Sequence, residues 1–377
     1  MKITHVQLHA VAVPRLYATQ IAKAGGEARG KVEVSRYIMV KATSDSGLAG
    51  WGEMSDVEPE DYPALGAYRE RLEKFLIGRD PFDVQSLHAD FDEAFPKDES
   101  SAPNQAARCA ADMLCHDLQG QQAGVPVYQL LGGRQRPAVR VSWVAYIRDD
   151  LKLLREEIKQ KVAEGFDAFK LKVGVDFDLD EARLAALREA AGTGASIKLD
   201  PNEGWNFEQA VRNIRRLQRF ELDGVETPVA GRGAEDLARL RKLVQVPLLE
   251  HVSTPAAALE YLKHDSLDAF NIATTNSGGI GPARLVADLA QTAGVGLLLG
   301  STVELGPGTL AQLHLGASIR QLTLPSDLIG PGMLQGDVLT TPLRYDHGRL
   351  APPDTPGLGI KISPELLEKY ADPMAME

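Results

Sequence analysis

From residue 141 onward the chain alternates between two periodicities. Short apolar runs begin at residues 141 (VSWVAYI), 168 (AFKLKVG), 196 (SIKLDPN), 224 (GVETPV), 246 (VPLLEHV), 269 (AFNIATT), 294 (GVGLLLGST) and 320 (RQLTLPSDL). Each reads as a buried strand. Between them lie stretches such as LKLLREEIKQKVAEG and FEQAVRNIRRLQRF, whose apolar residues recur at helical spacing and predict amphipathic helices. Neighbouring runs start about 25 residues apart, the length of a strand, a helix and two short loops. Eight such units in succession predict an α/β fold with a parallel, TIM-like (β/α)8 barrel.

The first 125 residues follow a different plan. Residues 2–13 alternate apolar and polar positions and stop at Pro14, and RYIMVKA at 36–42 is strand-like. Helical periodicity runs from Asp61 to Leu76 and again over 105–123. Between Tyr17 and Val32, with three glycines, no period is visible and a mobile loop is expected. The expected organisation is an α+β domain at 1–125, the barrel at 126–341 and a closing segment at 342–377, where PPDTPGLG precedes a short helix.

Composition narrows the class of partner. A net charge of −11 argues against nucleic acid and anionic membranes, which attract basic surfaces. The opening MKITHVQLHAVAVP is too short and too polar for a signal peptide or a membrane span. Cys109 and Cys115 make neither a zinc pattern nor a disulfide framework, which predicts a cytoplasmic protein.

In such a barrel the reactive side chains stand at the C-terminal strand ends. The second run places Lys170 and Lys172 on one face, since residues two apart in a strand point the same way. The next three runs end in Asp200, Glu226 and Glu250, one carboxylate per βα unit. Converging carboxylates repel one another. A hard divalent cation such as Mg²⁺ relieves that repulsion and keeps positions open for a substrate carboxylate. One ammonium group and the cation lower the pKa of the other lysine, which makes it a usable base for the α-proton. Each piece also has a structural reading: acids at strand ends cap helices or turns, and strand lysines snorkel to solvent. The joint pattern on adjacent units carries the metal-assisted reading.

The motifs that hold these residues resemble those of the enolase superfamily, in its mandelate racemase and muconate lactonizing enzyme branch. GLAGWGE (47–53), AADMLCHDLQGQQAGVPVYQLLGG (110–133), AFKLKVG, LDPNEGW, VETP, LLEH, SGGIGPARLVADLAQTAGV and PGLGIKI follow the family pattern over nearly the whole chain. The resemblance implies that both chain ends form an α+β capping domain that closes over the barrel. It implies Mg²⁺ held by Asp200, Glu226 and Glu250, with Asn202 beside the first. Lys172 is then the base of a K-x-K element. A small carboxylate substrate is implied too, and assembly as a homo-oligomer is common among such barrels. His251 is placed as a hydrogen-bond donor behind the ligands, or packs against the strand end.

Departures from the family pattern bear on the reaction. Leu249 stands before Glu250 where the lactonizing branch often has an acid. Ala273 takes the place of a sixth-strand lysine, and the seventh strand, LLLGSTVEL, lacks a histidine. One strong base is left, with Thr274, Thr275, Asn276, Ser301, Thr302 and Glu304 as the polar residues nearby. Hydroxyls in that set serve as proton relays or donors. One base suffices for dehydration of a hydroxy acid or of a hydroxylated amino acid such as 3-hydroxyproline. It suffices for cycloisomerisation too, whereas a racemase or epimerase needs a further acid. Asp327, in the eighth run, is placed to pair with a substrate ammonium or to cap a turn. The loop Lys23–Gly30 and the segment Trp51–Asp56 are the expected specificity elements. Outside this family, a Schiff-base aldolase built on a barrel lysine or a non-catalytic binding protein would use the same scaffold.

Overall fold

A computed structural model describes residues 1–55, 57, 65–95, 101–231 and 233–373. Seven strands form one parallel sheet in chain order: Trp143–Ala145, Ala168–Lys172, Ser196–Asp200, Gly224–Glu226, Leu248–His251, Ala269–Ile272 and Gly296–Leu299. The eighth run is not a regular strand, yet it closes the ring. On one side the Ser326 amide donates to Arg140 and the Ser326 carbonyl accepts from Ser142. On the other, Thr323 and Leu324 donate to Leu297, and Asp327 donates to Leu299. Pro325 lacks an N–H in the middle of this run, so closure rests on separated bonds instead of a continuous ladder.

Alternation decides which side chains face inward. Phe169, Leu171, Ile197 and Leu199 are buried in the apolar layer under the helices. Lys170, Lys172, Lys198 and Asp200 lie between them in sequence and project into the ring. The outer helices begin at caps the sequence supplies. Asp150 caps Leu151–Ala163, Asp176 caps Phe177–Ala191, and Thr254 caps the helix that starts at Pro255. Asn206 and Gln209 form a reciprocal capping pair at Phe207–Leu217.

The N-terminal strands Ile3–Thr19, Val32–Ser44 and Ala49–Ser55 form an antiparallel sheet in that order. The first strand continues through Pro14 instead of stopping there. It is the edge strand, where a missing N–H is tolerated, and a register irregularity follows before Thr19. Beyond it, the stretch expected to be a loop contains a small hairpin, Ala22–Lys23 paired with Glu27–Ala28. Gly25 and Gly26 turn it at positive φ. The predicted start of the next helix at Asp61 lies outside the described residues, and its remainder is Leu65–Leu76.

The long helix Ser101–Ala123 packs on this sheet, and GLAGWGE explains how closely. A Cβ on Gly52 would stand 2.0 Å from the Ala110 carbonyl oxygen, and one on Gly50 would stand 2.6 Å from that of Leu114. Glycine at both positions permits the approach, and the alternate residues Trp51 and Glu53 face the opposite side. Residues 370–372 return to the same sheet through a bridge between Val11 and Ala371 and an ion pair of Arg36 with Asp372 at 3.2 Å. Both chain ends therefore build the capping domain. Among the described residues, no helix is long and apolar enough to cross a membrane.

Candidate active site

The second and third barrel strands pair in a register that sets Lys170 beside Lys198 and Lys172 beside Asp200. Two layers result. In the lower layer, Lys170 and Lys198 both reach Asp327 of the closing segment, at 3.0 and 2.8 Å. Lys198 also donates to the Pro325 carbonyl at 2.7 Å. In the upper layer, Lys172 Nζ meets Asp200 Oδ2 at 2.6 Å. Lys170 joins the layers, 2.6 Å from Glu226 Oε1 and 3.0 Å from Asp200 Oδ2. Three ammonium groups thus balance three buried carboxylates, as burial of charge requires.

Burial opposes the charge on Lys170, but Asp200, Asp327 and Glu226 outweigh it and raise its pKa well above the usual lysine value. Lys170 is held as a cation. Burial alone would push Asp200 and Glu226 upward. Lys170, joined by Lys172 at Asp200 and by His251 at Glu226, pulls both below the ordinary carboxylate range. Glu250 is different: burial pushes it up to about 7. Its Oε1 accepts from the Thr227 hydroxyl at 2.7 Å and the His251 amide at 2.8 Å, and among the described residues no lysine pairs with it. His251 Nε2 lies 3.1 Å from Glu226 Oε1, which places this ring behind the acids.

This donor set suits a hard divalent cation. Asp200, Glu226 and Glu250 present carboxylates from three consecutive strands. Glu226 Oε2 and Asn202 Oδ1 are buried without a hydrogen-bond partner. Asn202, at a left-handed φ of 45°, gives its amide to Asp200 Oδ1 at 3.0 Å. Among the described residues, no three His, Cys, Asp or Glu groups already close into a metal cage. The cation between Asp200 and Glu226 is the Lys170 ammonium.

Several other expected site residues are engaged elsewhere. The sixth strand ends at Ile272, and Thr274–Ser277 form a helical turn. Gly278 and Gly279, both at positive φ, bring this turn against Arg108 and Asp112 of the long capping helix. Thr274 is consequently buried beside Cys109, Thr275 is buried too, and the Asn276 carbonyl accepts from Gln105. Glu304 does not stand open to a substrate: it is buried and accepts from the hydroxyls of Ser301 and Thr302. Asp327 has both oxygens committed to Lys170 and Lys198, so the pairing with a substrate ammonium does not fit its surroundings. Trp51 packs beside His9 and Lys41 in the capping sheet, and Asp56 lies outside the described residues. Thr302 and Lys172 line one cavity.

Two buried groups were absent from the sequence reading. Lys198 carries the same signal as Lys170, a lysine two residues before a strand-end charge in SIKLD. Glu53 sits inside a motif noted for its glycines. It crosses to the barrel and accepts the amides of Leu305 and Gly308 at 3.0 and 2.7 Å, with burial pushing it up to about 8.

Known proteins share this architecture. Residues 153–366 match the family model "Enolase C-terminal domain-like", and residues 17–132 match "Mandelate racemase / muconate lactonizing enzyme, N-terminal domain". Over 376 residues the chain is 30% identical to an N-succinyl-L-Arg/Lys racemase of Bacillus cereus, covering 98% of each. It matches the structure of 2-chloromuconate cycloisomerase from Rhodococcus opacus 1CP with a TM-score of 0.89 at 25% identity, over 99% of this chain and 100% of that one. A dipeptide epimerase from Enterococcus faecalis V583, complexed with Mg and the dipeptide L-Leu-L-Tyr, matches with a TM-score of 0.85 at 29% identity, over 96% and 100%. On the two domain matches and the shared barrel, the chain belongs to the mandelate racemase and muconate lactonizing enzyme branch of the enolase superfamily.

Proposed function

We propose that the protein is a Mg²⁺-dependent enzyme that removes the α-proton of a carboxylate substrate with Lys172 as base. The reaction we assign is dehydration of a hydroxy acid or a hydroxylated amino acid such as 3-hydroxyproline. One contrast carries this reading. Lys170 is fixed by three carboxylates, whereas Lys172 touches Asp200 and borders an open cavity. Asp200, Glu226 and Glu250 would hold Mg²⁺, which when bound supplies positive charge for the substrate carboxylate and for the electron pair left on the α-carbon. Lys172 Nζ takes the α-proton, and that electron pair forms the Cα–Cβ double bond. The Cβ–O bond breaks, and hydroxide leaves as water after protonation by Lys172 or through the Thr302 hydroxyl. Lys170 stays protonated and adds to the positive wall. Ala273, at the head of the sixth-strand turn, offers no amine to return a proton to the other face. The division of the chain near residues 125 and 341, a cytoplasmic location and a homo-oligomeric state belong to the same proposal.

The relatives favour a second reading, an isomerase. Racemases, epimerases and cycloisomerases are prominent among them, and cycloisomerisation also needs only one base. Proton NMR in D₂O, with Mg²⁺ and a panel of hydroxy, amino and N-acyl carboxylates, separates the two. Dehydration consumes the β-hydroxy compound and yields an α,β-unsaturated acid, which tautomerises to a 2-oxo acid where the α-carbon carries a hydroxyl and to a cyclic imine where it carries a ring nitrogen. An isomerase instead puts deuterium on the carbon chain without loss of water. Absence of exchange across the whole panel overturns both readings.

A further inference from the structure

The fifth barrel strand, Leu248–His251, ends in two polar residues, and alternation sends their side chains to opposite faces. Leu248 lies in the apolar layer under the helices. Leu249 pairs in register with Glu226 and packs with Ala269 and Leu298 instead. His251, two residues on, shares the face of Leu249, the one that looks into the ring. Glu250 stands between them and accepts from the Thr227 hydroxyl and the His251 amide. The strand therefore brings an imidazole, as well as a carboxylate, to the barrel mouth.

The ring of His251 has the spacing of a ligand. Its Nε2 is 3.1 Å from Glu226 Oε1. Two donors at neighbouring corners of an octahedron, each about 2.1 Å from the ion, stand about 3 Å apart. The same Oε1 already faces a cation, the Lys170 ammonium at 2.6 Å. The other ring nitrogen, Nδ1, is buried without a hydrogen-bond partner among the described residues. Asn271, the register partner of His251 on the sixth strand, is 1% exposed and leaves both polar atoms of its side chain without a partner. Gly300 makes room for that amide, since a Cβ there would stand 2.2 Å from Asn271 Oδ1. A ligating imidazole is oriented through its second nitrogen by a polar group of this kind.

We infer that His251 Nε2 is a ligand of the bound cation, in company with the strand-end carboxylates. A nitrogen in the set makes a first-row transition-metal ion bind more tightly relative to Mg²⁺, because imidazole suits those ions and Mg²⁺ keeps to oxygen. The inference rests on the proposed metal site and goes beyond it in the donor and in the ion preferred.

Pulsed EPR of the Mn²⁺-loaded protein reads a ligating nitrogen directly. Nitrogen modulation is expected, and ¹⁵N-labelled histidine should shift it, whereas ¹⁵N-labelled lysine should not. His251→Asp exchanges the ring for an oxygen donor at a side chain that is 36% exposed, so the fold should survive. In this variant the modulation should vanish, and the ratio of Co²⁺ to Mg²⁺ affinity, read by calorimetry, should fall about tenfold. The labelling needs no variant and decides the matter if His251→Asp does not fold. Modulation that ignores histidine labelling, its absence from the parent protein, or its survival in His251→Asp overturns the ligand. An unchanged affinity ratio overturns the ion preference. Failure of both Mg²⁺ and Mn²⁺ to bind overturns the ligand and the proposed function together. A histidine signal with no α-proton exchange on any carboxylate keeps the ligand and overturns the proposed reaction.

Discussion

Lys170 and Asp327 are separated by 157 positions in the chain and meet at 3.0 Å inside the barrel. Lys198 holds the other oxygen of the same carboxylate at 2.8 Å. The irregular segment that closes the ring is thus tied by its side chain as well as its backbone. Removing Asp327 leaves Lys198 with a single carbonyl partner in a fully buried place. Asp327→Ala is expected to lower stability by about 3–5 kcal/mol, read from urea unfolding. Adding Lys198→Met should recover part of the loss, because the orphaned charge goes with it. A double variant no more stable than the single one would count against the ion-pair account.

Lys172→Ala removes an amine and leaves the three strand-end acids in place. α-Proton exchange should fall by about 10²–10⁴-fold, while calorimetric Mg²⁺ binding is retained. Parent-like exchange in this variant rules Lys172 out as the base.

Glu226→Gln keeps the shape of the side chain and removes one carboxylate charge. Lys170 still has Asp200 and Asp327, so the fold should survive, which a thermal melt verifies. Mg²⁺ affinity should drop about tenfold or more. Unchanged affinity would remove Glu226 from the ligand set.

Asp112 predicts a pH dependence. It is buried in the capping helix, accepts the Ile280 amide of the barrel at 2.6 Å, and pairs with His88 at 2.8 Å and His116 at 3.2 Å. Burial opposes both charged forms. Asp112 nonetheless raises His116 above its ordinary 6.5, and the histidines lower Asp112 below its ordinary 3.8. A raised histidine stabilises fully below 6.5, and that contribution is lost as pH climbs through its folded pKa. The lowered Asp112 contributes above 3.8 and is lost as pH falls through its folded value. The melting temperature should therefore decline as pH climbs above 6.5 through the raised folded value, and His116→Gln should flatten that decline. An identical slope in the variant would refute the linkage.

The barrel was legible because apolar runs recur at one βα interval and the acids fall one to a unit. Lys198 was equally legible, since SIKLD repeats the two-residue spacing of KLK. The sixth-strand turn was not. Thr274 and Thr275 are β-branched and read as strand, but the approach of Gly278 and Gly279 to Arg108 and Asp112 overrides that preference. Asp327 sits in the eighth run, which reads as a strand, and its lysine partners lie on strands that only ring closure brings to it. Arg15 follows the proline at which the alternation in the sequence stops, and nothing local shows that its guanidinium turns inward to Ser35 and Thr19.

The return of residues 370–372 to the first strand has a consequence for biosynthesis. Ala12 donates to the Tyr370 carbonyl at 2.8 Å, and Asp372 donates to that of Ala10 at 3.0 Å. The outer edge of this sheet cannot be completed until every barrel unit has been translated. Until then its unpaired backbone groups are open to pairing with other chains, so removing residues 370–372 is expected to lower soluble yield.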